Sequence, residues 1–556
     1  MSTKTPKTEN KSDNMLAQAG ILAAAGIVVR IIGLLYRSPL TGIIGDEGNG
    51  YYNYAYNCYA IILLISAYSI PSAISKVIAG ELALGRDRNA QRVFHGALLY
   101  VLIVSGAFSV FVFFGAGLLT YGHSVTVLRV FSPTILLFGF LGVLRGYFQA
   151  MRTMVPTSVS QILEQLVNAA VSLLAAWLFI RGAGDTDATT RAVRGAVGSA
   201  LGTGAGVLTA LLFMLIVYGI NRGTILKRIH YCANQNRDSW GAVMKLLVLT
   251  VTPFILSTFI YNFSTMLNQT IFQRILIHTR GFLEADVAIA YGIFSTKAVV
   301  IANIPIALAS ALSSAMMPNL SGSFARGDSR EAGSIVDRAL KATLMVSVPC
   351  AAGLFILSRP IVFLLFPQRG SLDEAAALLS GIAVTVVFYS ISTVTNAVLQ
   401  GIGRMNLPVV NAAVALFVQG AVLALLLLFT GLDNGALVIA MILYSLLMCV
   451  LNERSVRKHL KRGTDWRRLL AAPLLAAAVM AVVTRIVYQL VSLLLSVFMS
   501  SEYLINLLSL LPALLVAVWI YGLLLIRFGG VSEEELLRMP KGRTLVRLLK
   551  KARILS

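Results

Sequence analysis

The sequence predicts an all-α polytopic membrane protein: fourteen transmembrane helices, arranged as two six-helix lobes in a parallel pseudo-repeat, with two further helices towards the C-terminus. Three observations carry this. Apolar runs of about twenty residues recur from end to end, the length a helix needs to cross hydrocarbon. Only 13% of residues are charged, against about 25% in a soluble domain. Two short sequence features also reappear in the second half of the chain at nearly one offset. The short alternating strands of an outer-membrane barrel are not the pattern here.

Taken in order, the apolar segments span 15–36, 50–78, 94–119, 125–149, 156–180, 193–220, 241–270, 286–317, 336–358, 374–401, 408–430, 435–452, 469–498 and 503–526. The polar start, 1–14, reads as a cytoplasmic tail. Ala17-Gln18-Ala19 resembles a cleavage triplet but precedes the first apolar run, so no cleavable signal peptide is expected. Segments 1–6 make an N-lobe, 15–240, and segments 7–12 a C-lobe, 241–465. Segments 13 and 14 occupy 466–528, and a basic cytoplasmic tail runs over 529–556. In that tail Ser532 with Glu535 forms a capping box, and Arg543 to Leu555 mixes basic and aliphatic residues as a helix lying on anionic lipid does.

The net charge of +22 invites a nucleic-acid reading, but the basic residues sit in short loops between apolar runs. With the N-terminus inside, about three quarters of them fall in cytoplasmic segments, Arg145 and Arg152 among these, as the positive-inside rule requires. The outer set is Arg37, Arg181, Arg191, Arg194, Arg274, Arg280, Arg359 and Arg369, and Arg30, Arg129, Lys297 and Arg485 lie within helices. Both termini are therefore expected in the cytoplasm. Cys58, Cys232, Cys350 and Cys449 are far apart with no CxxC, which suits unpaired thiols.

The repeat is visible in two pairs. Gln149-Ala-Met-Arg152 runs on to Pro156, and Gln400-Gly-Ile-Gly-Arg404 runs on to Pro408. Pro71 with Ser75 before Gly85-Arg86-Asp87 matches Pro318 with Ser321 before Gly327-Asp328, at an offset again close to ~250 residues. Because each lobe has an even number of crossings, the lobes share an orientation, and transporters built this way hold substrate between lobes. Pro71, Pro305 and Pro318 are candidate hinges, since a membrane proline frees a carbonyl and bends its helix; a static kink is the plainer alternative.

Polar residues inside the apolar runs are the candidate site. Arg30 lies inside segment 1 and Arg37 follows two turns on, at the end of that run, ahead of Gly45-Asp46-Glu47-Gly48 in the loop that follows. A charge within a membrane helix costs about 2.5–3.5 kcal/mol and so normally faces water or a partner. The two arginines either line a cavity that receives an anion, or Arg37 snorkels and Arg30 pairs with a carboxylate. Lys297 in segment 8 is placed to face the same cavity. Asn262, Thr265, Gln269 and Gln273 form one stripe on segment 7, read as cavity lining ahead of helix-to-helix bonding. Glu47 is a further lining candidate, and Glu164 in segment 5 is read first as half of an ion pair with an arginine and second as a proton or ion site. Arg129 and Arg485 suit snorkelling near an interface, while Gly198, Gly202 and Gly206 suit close helix packing.

No GxxxxGK[ST] loop, HExxH motif or sizeable soluble insertion is present, so neither a nucleotide-driven pump nor an enzyme is expected. No metal or organic cofactor is implied.

Arg30-Ile-Ile-Gly33, Tyr36-Arg37, Gly45-Asp-Glu-Gly48, Tyr51/Tyr52, Pro71 to Lys76, Ser160-Gln-Ile-Leu-Glu164-Gln165 and Met317-Pro318-Asn-Leu-Ser321 resemble the multidrug/oligosaccharidyl-lipid/polysaccharide exporter superfamily. Within it the chain looks like the branch of MurJ lipid II flippases, stage V sporulation protein B and YtgP-type proteins. The resemblance implies a bacterial plasma-membrane flippase. Its substrate would be an undecaprenyl-pyrophosphate-linked glycan, lipid II foremost, moved by alternating access. The energy would come from a Na+ or H+ gradient or the membrane potential. It further implies that Arg30, Arg37 and Lys297 bind the pyrophosphate and sugar, that segments 13 and 14 form a groove for the polyprenyl tail, and that the chain works as a monomer beside the cell-wall machinery. Lysine at 297 in place of arginine, the Arg30–Arg37 spacing, and Asn168 after the Glu164 motif depart from MurJ and favour the YtgP or sporulation branch. The alternatives are a cation-coupled multidrug exporter of the same fold, a flippase for another lipid-linked polysaccharide, and a non-transporting scaffold.

Overall fold

A computed structural model describes residues 9–68, 70–151, 153–230, 238–460 and 463–531, with isolated positions beyond. Every described element is helical and no strand occurs among these residues. The chain divides into two compact units, Met1–Gly292 and Ile293–Ser556. The lobes drawn from the repeat change over near residue 240; by compactness, the helices up to Gly292 pack with the first unit.

The first unit holds α1 (Glu9–Leu63), α2 (Ile70–Ala83), α3 (Asp87–Leu119), α4 (Ser124–Ala150), α5 (Val155–Arg181), α6 (Ala188–His230), α7 (Trp240–Arg274) and α8 (Glu284–Gly292). The second holds α9 (Val300–Ala325), α10 (Ser329–Ile356), α11 (Ser358–Leu365), α12 (Leu372–Ile382), α13 (Thr385–Gly401), α14 (Asn406–Phe429), α15 (Asn434–Leu460), α16 (Trp466–Phe498) and α17 (Glu502–Arg527). Caps mark several starts: the side chains of Ser239, Asp328, Asp465 and Ser501 accept from backbone N–H groups three residues on. The Ser532–Glu535 capping box lies outside the described residues.

Among the described residues, eleven helices are long and apolar enough to cross a membrane, or twelve if the bent pair Arg369–Ile382 and Thr385–Gly401 (44°) is one span. That tally takes Val28–Ala83 as a single run. The loop expected between segments 1 and 2 is reduced to a kink at Gly45 (φ 70°, ψ 179°), where two helices meet directly, the first having run through Pro39. A side chain would be strained at that positive φ. The Asn49 amide splints the break, donating to the Gly45 carbonyl (2.9 Å) and to Thr41 Oγ1 (3.1 Å).

Glycine also sets how closely α5 and α6 approach. A Cβ at Gly198, Gly202 or Gly206 would sit 2.6, 2.0 and 2.4 Å from Ala175, Ser172 and Glu164 atoms respectively. The stripe of small residues is a packing face, as its spacing predicts.

Candidate functional site

On α1, Arg30 is exposed and Arg37 half-buried, two turns apart on one side of the helix. Between them Gly33 lets α1 approach α5: a Cβ there would lie 3.2 Å from the Gln165 amide nitrogen. Neither guanidinium has a hydrogen bond or ion pair among the described residues. Arg37 is within electrostatic reach of Tyr52. Tyr52 shares a hydrogen bond with Thr203 (3.4 Å), and Thr203 donates to Asn168 Oδ1 (3.3 Å). Tyr52, Tyr56, Tyr59 and Phe131 pack ring on ring beside this chain of contacts. Glu47 accepts from the Tyr51 hydroxyl at 3.1 Å.

Glu164 takes an ion pair, and its partner corrects the sequence reading. Arg145, expected in a cytoplasmic loop, is buried in α4, with Nη2 2.7 Å from Glu164 Oε2 and Nε donating to Ser160 Oγ at 2.9 Å. The clue was available, because position 145 falls inside the apolar span 125–149. Arg485 is likewise more than a snorkelling residue: its guanidinium donates to the Ile356 carbonyl at 3.4 Å.

The segment 7 stripe divides. Gln269 is buried, and its amide donates to the Tyr54 carbonyl (2.9 Å) while its Oε1 accepts from Asn57 (2.9 Å). In this structure it bonds helix to helix. Gln273 is also buried, and its Nε2 has no hydrogen-bond partner among the described residues. The Asn262 side chain lies outside the described residues. Around Gln269, α8 is fastened to α1. Tyr54 stacks on Tyr291 (4.6 Å) and donates to the Val287 carbonyl, and Asn57 donates to the Tyr291 hydroxyl. A Cβ on Gly50 would lie 2.0 Å from the Ala288 oxygen, and one on Gly292 2.1 Å from the Asp46 oxygen, so only glycine permits this crossing. Tyr54 and Asn57, three residues apart, escaped the sequence reading because aromatic packing masks their polar role.

Lys297 lies in a π-helical stretch, Ile293–Val299, of the second unit. It is fully buried and donates to Ser371 Oγ at 2.5 Å. π-turns are frequent at functional positions. Another, Leu64–Tyr68, precedes Pro71 in segment 2. There the Ser66 carbonyl accepts from Ser105 (3.0 Å), and Gly146 gives room for Pro71, whose carbonyl would be 2.7 Å from a Cβ. Pro305 is buried within α9, and the Pro318 side chain lies outside the described residues. Among the described residues no group of three or more His, Cys, Asp or Glu is gathered that would hold a metal ion.

Long apolar helices, several of them interrupted, with close glycine crossings mark a multi-pass membrane protein. The chain belongs to the polysaccharide biosynthesis protein family, whose sequence model matches residues 15–324, and a MatE model matches 253–426. It is a MurJ-like member of the MOP superfamily. Stage V sporulation protein B of Bacillus subtilis (strain 168) is 24% identical over 95% of this chain and 98% of its own length. The lipid II flippase MurJ of the same organism is 24% identical over 73% of this chain and 76% of its own. In fold, the chain is similar to a lipid II flippase MurJ structure in an inward closed conformation (TM-score 0.61, 14% identity, 90% of this chain and 97% of that one).

Proposed function

We propose that this protein is a flippase that carries an undecaprenyl-pyrophosphate-linked cell-wall precursor, lipid II foremost, across the bacterial plasma membrane by alternating access. The observation that carries the reading is the pair Arg30 and Arg37: exposed or half-buried, on one helix face, with no partner in the described protein. A pyrophosphate cannot be held in hydrocarbon without fixed cations, and the planar arginine fork takes two of its oxygens at once. Lys297 of the second unit, already hydrogen-bonded to a hydroxyl, is a further proposed ligand of the substrate anion. Fourteen crossings with both termini cytoplasmic, a Na+ or H+ gradient or the membrane potential as driving force, a monomeric state and work beside the cell-wall machinery complete the proposal. Pro71, Pro305 and Pro318 serve as its hinges. The likeness to stage V sporulation protein B over 95% of this chain favours a sporulation setting for that transport.

A second reading, a cation-coupled multidrug exporter, is favoured by the MatE match. It needs an available acid in the cavity, and Glu164 is committed to Arg145. The test is complementation of cells depleted of their lipid II flippase, with the wild-type chain and with Arg30→Ala, Arg37→Ala and Lys297→Ala at matched expression. Rescue by wild type and failure of the variants is expected. No rescue by a well-expressed wild type would move the assignment to another lipid-linked glycan or to drug export. Rescue by every variant would refute the cationic site.

A further inference from the structure

Segments 13 and 14 stand outside the repeat, and in the second unit their side chains are aimed at backbone carbonyls. Pro360 has no N–H to give the carbonyl four residues before it, Ile356, and Arg485 of α16 donates to that carbonyl instead. Asn506 of α17 is buried, donates to the Pro360 carbonyl at 3.0 Å and accepts from the Tyr488 hydroxyl at 2.8 Å. Tyr503 donates to the Leu364 carbonyl at 3.3 Å and sets its ring edge-on against Phe363. The three carbonyls recur every fourth residue and lie along one side of the α10 end and α11. α11 is bonded onward: Arg359 reaches Asp373 at 2.6 Å, in the first turn of α12. The residue just before α12 is Ser371, which receives the Lys297 ammonium.

We propose that segments 13 and 14 are a brace that fixes α11 and so sets the position of Ser371, with Asn506 and Tyr503 as positioning residues for Lys297. The proposal rests on the reading of Lys297 as an anion ligand, but its first consequence does not. Of the three, the Asn506 bond to the Pro360 carbonyl is the buried one, while α16 and α17 also expose large apolar side chains such as Leu493 and Leu515. An unmade bond to a buried carbonyl is what such a design avoids.

The experiment uses the full chain in lipid nanodiscs, with Cys58, Cys232, Cys350 and Cys449 replaced by serine. Ser371→Cys reports on the braced position and Gly370→Cys, exposed in the same turn, is the reference for access. A hydrophilic maleimide should label the position-371 thiol slowly. Adding Asn506→Ala should raise that rate by about tenfold, the effect of one lost buried bond, with the position-370 rate unchanged. Tyr503→Phe, which removes one hydroxyl at an exposed end of α17, is the variant for the case in which Asn506→Ala does not fold. Leu508→Ala, at an exposed site on the same helix, should change neither rate. An unchanged position-371 rate in folded Asn506→Ala or Tyr503→Phe overturns the brace. With Ser371 restored, binding of undecaprenyl pyrophosphate should weaken in Asn506→Ala but not further when Lys297→Met is already present. Faster labelling with unaltered binding keeps the brace and removes Lys297 from the anion site.

Discussion

Replacing Glu164 by leucine strands a charge, and the structure gives the size of the effect. The Arg145 side chain is 6% exposed, its carboxylate partner 23%. Without Glu164 the guanidinium keeps one described side-chain bond, to Ser160 Oγ. Removing one partner of a buried pair costs about 3–5 kcal/mol, a third or more of the stability of many domains, roughly 5–15 kcal/mol. Arg145→Met should cost less, about 1–3 kcal/mol, because the remaining carboxylate can reach water or take a proton. The double variant should fall well short of the sum, since neither charge is then orphaned. The assay is thermal unfolding of the purified full chain, followed by reaction of a fluorogenic thiol probe with buried Cys58 and Cys449. Equal costs for the two single variants, or strict additivity in the double, would refute the counter-ion role. A stable Glu164→Gln with an altered pH dependence of transport would restore the carboxylate as a proton site.

Arg37→Lys keeps the charge but loses the fork, so undecaprenyl pyrophosphate should bind about tenfold more weakly to it and more weakly still to Arg37→Ala, as measured by ligand-induced thermal shift. Gly50→Val would drive a side chain into the Ala288 carbonyl and should abolish a monodisperse, folded product in size-exclusion chromatography, whereas Gly80→Val, with open space around it, should not. Asp238 lies before α7, where the Asn89 amide and then the Arg86 guanidinium hold its carboxyl below the usual range. Its contribution is therefore fully present above the ordinary value of about 3.9 and lost as pH falls through the lower folded value. Asp238→Asn should lower the unfolding midpoint at neutral pH, and the gap from wild type should close on acidification.

Much of the fold was legible because hydropathy is a property of single segments: the apolar runs are helical among the described residues, although 50–78, 286–317 and 374–401 are each divided between elements, and the Gly198–Gly206 stripe packs as its spacing implies. What could not be read is pairing across helices. The Gln269 amide looks the same in sequence whether it lines water or binds Tyr54, and only the neighbour decides. Arg145 was misplaced because its position near the end of an apolar run suits a loop as well as a buried pair. The splint of Asn49 across Gly45 was hidden for a related reason: Gly45-Asp46-Glu47-Gly48 carries every sign of a loop, yet the helix resumes directly after the kink, with the Asn49 amide bridging it. Ser371 had no signal at all, lying 74 residues from the lysine it serves.

Ion placement in a membrane protein follows from cost. A cation on a membrane helix that is left unanswered loses several kcal/mol, so each should have an evident means of repayment. Arg145 has Glu164, Lys297 has Ser371, and Arg485 has the carbonyl that Pro360 frees. Arg129 is near the first turn of α4, close enough to an end to reach headgroups. Arg30 and Arg37 stand apart, since among the described residues the protein supplies neither with a counter-charge. Water or headgroups could serve either arginine alone; under the proposed function the pair, about 10 Å apart along one helix face, converges on a diphosphate. The reading predicts that a diphosphate on a lipid stabilises the chain more than the monophosphate does, and that the preference disappears in Arg30→Gln. A thermal-shift series with undecaprenyl phosphate and pyrophosphate checks it, and equal shifts for both lipids in the wild type would show that the two arginines do not act on one group.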